Sequence, residues 1–133
     1  MRKNFIKFCI SKDAYKDLES YAHAYGMNPI SFTKSICMDV VNGSWKLNLD
    51  YNNTKKIDGN KNTEQISFRV SPKMYKSMKE TAHKYDMGVA YFVKLCCLQT
   101  IYGIAHPPMR INPYTEAMFN EFKLLLMNNQ RLI

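Results

Sequence analysis

The chain carries one sequence twice. Residues 4–43 recur without a gap, at a constant offset of 60, as residues 64–103. Ile6 aligns with Ile66, Phe8 with Phe68, Ser11 with Ser71, Tyr15 with Tyr75, Ala22 with Ala82 and His23 with His83. The match continues through Tyr25 and Tyr85, Met27 and Met87, Phe32 and Phe92, Cys37 and Cys97, to Gly43 and Gly103, so that about a third of the aligned positions are identical. Two copies are too few for a solenoid, which needs at least about three stacked repeats to bury a continuous core. A pseudo-symmetric pair of halves sharing one core is the expected architecture, and 133 residues suit it.

Each copy opens on an alternation of period two, the mark of a half-buried strand. Ile6, Phe8 and Ile10 take one face and Phe5, Lys7 and Cys9 the other; in the second copy Ile66, Phe68 and Val70 oppose Gln65, Ser67 and Arg69. Ser11 and Ser71 then stand where a helix N-cap is needed, and Pro72 falls at a first helical residue, where its missing N–H does no harm. Leu18, Tyr21, Ala22 and Tyr25, matched by Met78, Ala82 and Tyr85, recur at helical spacing. Gly26 suits the left-handed residue that ends such a helix; Asp86 replaces it in the second copy, a weaker stop that leaves Gly88 to supply flexibility. A second helix starts at Asn28 with Pro29 just inside and buries Phe32, Ile36 and Val40; Phe92, Cys96 and Ile101 do the same before Gly103. Each half is therefore strand, helix, helix. The strand needs a hydrogen-bonding partner and the helical stripes need a facing layer, and the other copy supplies both.

The expected divisions are a first repeat over 1–43, a connection over 44–64, a second repeat over 65–103 and a C-terminal extension over 104–133. The connection, SWKLNLDYNNTKKIDGNKNTE, reads as a mostly polar, flexible coil spanning about 25 Å, with Trp45, Leu47 and Leu49 anchoring its start on the core. Beyond Gly103 the symmetry stops. Pro107, Pro108 and Pro113 precede an expected amphipathic helix over 114–130, with Met118, Phe119, Phe122, Leu125 and Leu126 on one face. That helix either covers the core or contacts a neighbouring copy or another protein.

Nineteen basic residues against 11 acidic ones give a net charge of +8, which favours a polyanionic partner such as nucleic acid, a solubilising surface being the alternative. Lys7 interrupts the N-terminal apolar run before it reaches the length of a signal-peptide core, and no apolar span is long enough to cross a membrane, so a cytoplasmic protein is expected. Cys9, Cys37, Cys96 and Cys97 lack the spacing of metal knuckles and read as reduced thiols in or near the core. His23 and His83 fall on an outer helix face with no carboxylate or thiol placed to share a metal. Tyr15 and Tyr75 read as packing residues, while Lys16, Lys34, Lys76 and Lys94 either line a phosphate track or are solvated. No GxxxxGK[ST], HExxH or GxSxG signature is present, so a non-catalytic protein without cofactor or metal is expected.

The constellation of ISFRVSP leading into a helix, a turn at YGMN or DMG and a second helix resembles the ribbon-helix-helix family, over residues 5–43 and again over 65–103. The resemblance implies an α+β fold in which the two repeats of one chain form an intramolecular pseudo-dimer with a two-stranded antiparallel ribbon. It implies sequence-specific binding to double-stranded DNA, because such a ribbon fits the major groove. Carried over position by position, the base readers are Phe5, Lys7, Cys9, Gln65, Ser67 and Arg69, of which Phe5 and Cys9 depart from the polar residues common there and offer at most apolar contact to a thymine methyl. The family also holds phosphates at the N-terminus of the second helix, here Asn28, Pro29, Ile30 and Ser31 in the first copy and Gly88, Val89, Ala90 and Tyr91 in the second. Tandem members occur among accessory proteins of conjugative DNA transfer and among viral regulators. The resemblance thus implies a plasmid-encoded protein that binds a transfer origin and assists relaxosome assembly, with a relaxase, coupling protein or neighbouring copy as partner of the C-terminal helix. A transcriptional repressor of its own promoter is the alternative, and a DNA-binding antitoxin a further one.

Overall fold

Two strands of alternating pattern meet as a two-stranded antiparallel sheet: β1 over Phe5–Ile10 and β2 over Glu64–Arg69. The computed structural model describes residues 4–105. In both strands the apolar register faces inward, with Ile6, Phe8, Ile10, Ile66 and Phe68 all buried. The full order is β1, α1 (Lys12–Ala24), α2 (Pro29–Val41), a short 3-10 turn (Leu49–Tyr51), α3 (Thr54–Asp58), β2, α4 (Pro72–Lys84) and α5 (Val89–Ile101). It is an α+β layout compatible with a ribbon-helix-helix arrangement. No helix among the described residues is long and apolar enough to cross a membrane.

The helix boundaries follow from local chemistry. Ser11 Oγ accepts the Ala14 N–H at 3.1 Å, and Ser71 Oγ accepts the Met74 N–H at the same distance. These hydroxyls replace partners that the first turn of a helix lacks. At the other end of each first helix the N–H of Met27 or Met87 donates back to the carbonyl of Ala22 or Ala82, which requires a left-handed residue just before it. Gly26 fills that place with φ 70°, and Asp86 adopts the same conformation with φ 59°. The second copy therefore stops its helix at Asp86 itself, without the flexibility expected of Gly88, which has φ −75° and serves as the N-cap of α5, with no side chain to bond the first turn.

The core lies between the sheet and the helices, and both repeats contribute to it. Leu18 and Ala22 of α1 and Met78 and Ala82 of α4 are fully buried, as are Phe32 and Phe92. Tyr25 stacks on Phe32 with ring centroids 5.9 Å apart, and Tyr85 repeats the arrangement on Phe92 at 6.2 Å. Helices cross between repeats: α2 packs on α4 and α5, and α1 packs on α5. Cys37, Cys96 and Cys97 are free thiols buried in this interior, and burial raises the pKa of each.

The connection departs from the expected coil. Trp45 and Leu47 are buried, and the Trp45 indole N–H donates to the Ile36 carbonyl at 2.9 Å, but Leu49 is 53% exposed and anchors nothing. Two asparagines start helical turns in this polar stretch: Asn48 Oδ1 accepts from Asp50 N and Asn53 Oδ1 from Lys55 N. The turns are held against α5 by Gln99, whose buried side-chain amide bonds the N–H and carbonyl of Asn48 at 2.8 Å each and reaches the Tyr51 carbonyl at 3.2 Å. At the far end Asp58 accepts from the Ser11 N–H at 2.7 Å and from the hydroxyls of Ser11 and Tyr102. Desolvation, with the hydrogen bond to Asp58 behind it, pushes the Tyr102 phenol up to about 12. Helix α5 is buried nearly all round, Leu95, Leu98, Gln99 and Thr100 included, where the sequence pattern marked only one face, because it packs on β1, α1, α2 and α4 as well as on this segment. The extension expected over 114–130 lies outside the described residues.

Candidate nucleic-acid interface

Alternation in the strands leaves six side chains on the face turned away from the core, and the strand register sets them opposite one another. Phe5 faces Arg69, Lys7 faces Ser67 and Cys9 faces Gln65. Lys7 and Ser67 are counterparts in the sequence repeat, so the middle pair is formed by one position and its own equivalent. The flanking pairs exchange roles: Gln65 is the counterpart of Phe5, and Arg69 that of Cys9. The six predicted base readers are thereby brought onto one surface. Lys7, Gln65 and Arg69 are exposed, while Phe5, Cys9 and Ser67 are half-buried.

This face is lopsided in chemistry. One end presents the guanidinium of Arg69 beside an aromatic ring, and the other presents the amide of Gln65 beside a thiol. Lys7 and Ser67 place a cation and a hydroxyl in the middle. Behind the sheet the Lys34 ammonium sits 5.7 Å from the centroid of the buried Phe68 ring, a cation–π contact that ties this lysine to the strand.

The two predicted phosphate sites differ in the donors they offer. In the first repeat Asn28 Oδ1 already accepts the Ser31 N–H at 2.8 Å, and Pro29 has no N–H, which leaves Ile30 as the donor of that first turn. In the second repeat the cap is Gly88, and Val89, Ala90 and Tyr91 have backbone N–H groups that no cap side chain bonds. The Tyr91 hydroxyl is turned to the connection, donating to the Asn52 carbonyl and accepting from Thr54 N.

No family model, curated protein or solved structure matches this chain. What the interface does must therefore be argued from its own geometry. Among the remaining residues singled out in the sequence, His23 and His83 are exposed, and no cluster of three or more His, Cys, Asp or Glu side chains able to hold a metal occurs among the described residues. Tyr15 and Tyr75 are partly buried against the core. Lys16 and Lys76 are exposed and Lys34 and Lys94 half-buried. One group of residues escaped the sequence reading: Lys73, Lys79 and Lys84, which join Lys76 and His83 on the exposed side of α4. The signal was present in the comparison of the repeats, because α1 has Asp13, Glu19 and Ala24 at the places of Lys73, Lys79 and Lys84.

Proposed function

We propose that this chain is a sequence-specific double-stranded DNA-binding protein, in which two ribbon-helix-helix repeats form an intramolecular pseudo-dimer and present their two-stranded ribbon to the major groove. The observation that carries the proposal is the register, which aligns Phe5 with Arg69, Lys7 with Ser67 and Cys9 with Gln65 on the sheet face turned away from the helices of the described residues. A two-stranded ribbon fits the major groove, where every base pair displays a distinct set of donors, acceptors and methyl groups. Arg69 forks onto guanine O6 and N7, Lys7 donates to guanine, Gln65 bonds adenine, and Ser67 donates or accepts. Phe5 and Cys9 offer apolar contact to a thymine methyl. The Val89–Tyr91 turn and its weaker counterpart at Ile30 receive the flanking phosphates, since backbone N–H groups at a helix start attract an anion. The net charge of +8 supplies the sequence-independent attraction to the duplex.

The biological setting we propose is an accessory role at the transfer origin of a mobile element, on the resemblance to tandem ribbon-helix-helix proteins. Selection of bound duplexes from a random library tests the biochemical function: an enriched, non-palindromic motif is expected, since the two ends of the ribbon carry different side chains. Equal affinity for all duplexes would sink sequence-specific recognition. Mapping the bound motif on the source replicon tests the setting, with sites beside a strand-nicking locus supporting transfer and sites confined to the protein's own promoter pointing to a repressor.

A further inference from the structure

The outward faces of α1 and α4 occupy equivalent places in the two repeats, yet their charges are opposite. Helix α4 carries Lys73, Lys76, Lys79 and Lys84 against the single acid Glu80, whereas α1 carries Lys12 and Lys16 against Asp13, Asp17 and Glu19. At helical geometry Lys73, Lys76, Lys79 and Lys84 share one side of α4 with Glu80 and His83, and all six are exposed. This face is also continuous with the ribbon. An open groove of about 910 Å³ runs from Phe5 and Ile6 of β1 along Lys76, Lys79 and Lys84 to the start of α5, and a smaller one of about 430 Å³ joins Asn4 to Lys76 and Lys79 at Pro72 and Tyr75. Phe5 is the cross-strand partner of Arg69, so the basic helix adjoins the end of the ribbon that bears the guanidinium. The corresponding groove beside α1 has Lys16 and Glu19 on its wall.

We propose that the lysine face of α4 is a one-sided contact for the duplex backbone, which extends the footprint beyond the base pairs under the ribbon at the Arg69 end and orients the protein on its site. The inference rests on duplex binding by the ribbon and adds a direction to it. An acidic protein would also be attracted by these lysines, but their continuity with the ribbon end favours the polyanion that the ribbon itself engages. Each lysine that neutralises a phosphate releases condensed counterions, so lost contacts flatten the dependence of affinity on salt by about 0.9 logarithmic units per contact. Contacts confined to α4 must also protect only one flank from cleavage.

The test compares the parent chain with two variants on a labelled duplex selected by the parent protein. In the first, Lys73→Asp, Lys79→Glu and Lys84→Ala give α4 the residues that α1 has. In the second, Asp13→Lys and Glu19→Lys give α1 the charges of α4. Hydroxyl-radical footprints and salt titrations are read for all three. The first variant is expected to lose protection on one flank and to flatten the salt slope by at least about one unit, with the ranking of single-base-pair variants of the site kept. The second is expected to gain protection on the opposite flank, which remains informative should the first fail to fold. Retained specific binding with an unchanged slope and unchanged flanks in both variants overturns the one-sided contact alone. Failure of the parent chain to bind any duplex overturns the proposed function together with it.

Discussion

Arg69 and Cys9 are counterparts in the repeat, and the difference between them sets how the two ends of the ribbon behave. On the proposed function, Arg69→Ala removes the one guanidinium on this face, whose fork suits a two-pronged hydrogen bond to guanine, so specific binding should weaken by about 1–3 kcal/mol with relaxed preference at one base pair. Competition titrations at fixed salt, one base pair varied at a time, give the measurement; uniform weakening across all sequences would reassign Arg69 to a phosphate. Cys9 allows a different probe. It is half-buried on the outer face, whereas Cys37, Cys96 and Cys97 are fully buried with raised thiol pKa, so they stay protonated and screened at neutral pH. Iodoacetamide should alkylate Cys9 first in the native protein, and a selected duplex should slow that reaction. Mass spectrometry of peptides would locate the modification, and a rate unaffected by duplex would place Cys9 away from the groove.

At the scale of elements, the order strand, helix, helix was legible in each copy because its signals are local: period two in ISF and IKF, hydroxyl caps at Ser11 and Ser71, and Asn28 before Pro29. The six outward strand residues were legible for the same reason. The connection was not, because its polar composition reads as coil and its order comes from groups distant in sequence, chiefly the buried amide of Gln99 and the Ser11 and Tyr102 hydroxyls on Asp58. The near-complete burial of α5 was hidden by the same cause, since the elements that cover it, β1, α1, α2 and α4 together with that segment, come from the whole length of the described chain. At the α4–α5 turn the sequence misled in a third way: Asp86 was a weak stop, yet the backbone bond from Met87 N to the Ala82 carbonyl holds it left-handed. That conformation costs a side-chain-bearing residue about 1–2 kcal/mol. Asp86→Gly should therefore stabilise the protein by up to about 1 kcal/mol, less the extra entropy of glycine in the unfolded chain. Urea unfolding provides the check, and a lower midpoint in the variant would show that the Asp86 side chain contributes more than its backbone costs.

On the scale of the whole molecule, the decisive property is that neither repeat closes a core by itself. Among the described residues β1 has only β2 as a hydrogen-bonding strand, α2 packs on α4 and α5, and α1 packs on α5, so each repeat completes the layer left open by the other. The connection adds a tie at both ends, with Trp45 bonded to Ile36 and Asp58 bonded to Ser11 and Tyr102, which favours pairing within one chain over pairing between chains. The intact protein is expected to be monomeric without DNA by light scattering and to unfold in one cooperative step. Residues 1–50 alone would expose Ile6, Phe8, Leu18, Phe32 and Ile36, buried in the intact chain, together with an unpaired strand edge. No cooperative thermal transition is expected of this fragment as a monomer. Folding that appears only with dimerisation keeps the argument, because a second copy of the first repeat then replaces the missing half. A fragment that is both monomeric and cooperatively folded would contradict it, since the apolar faces joined across the repeats would then not need each other.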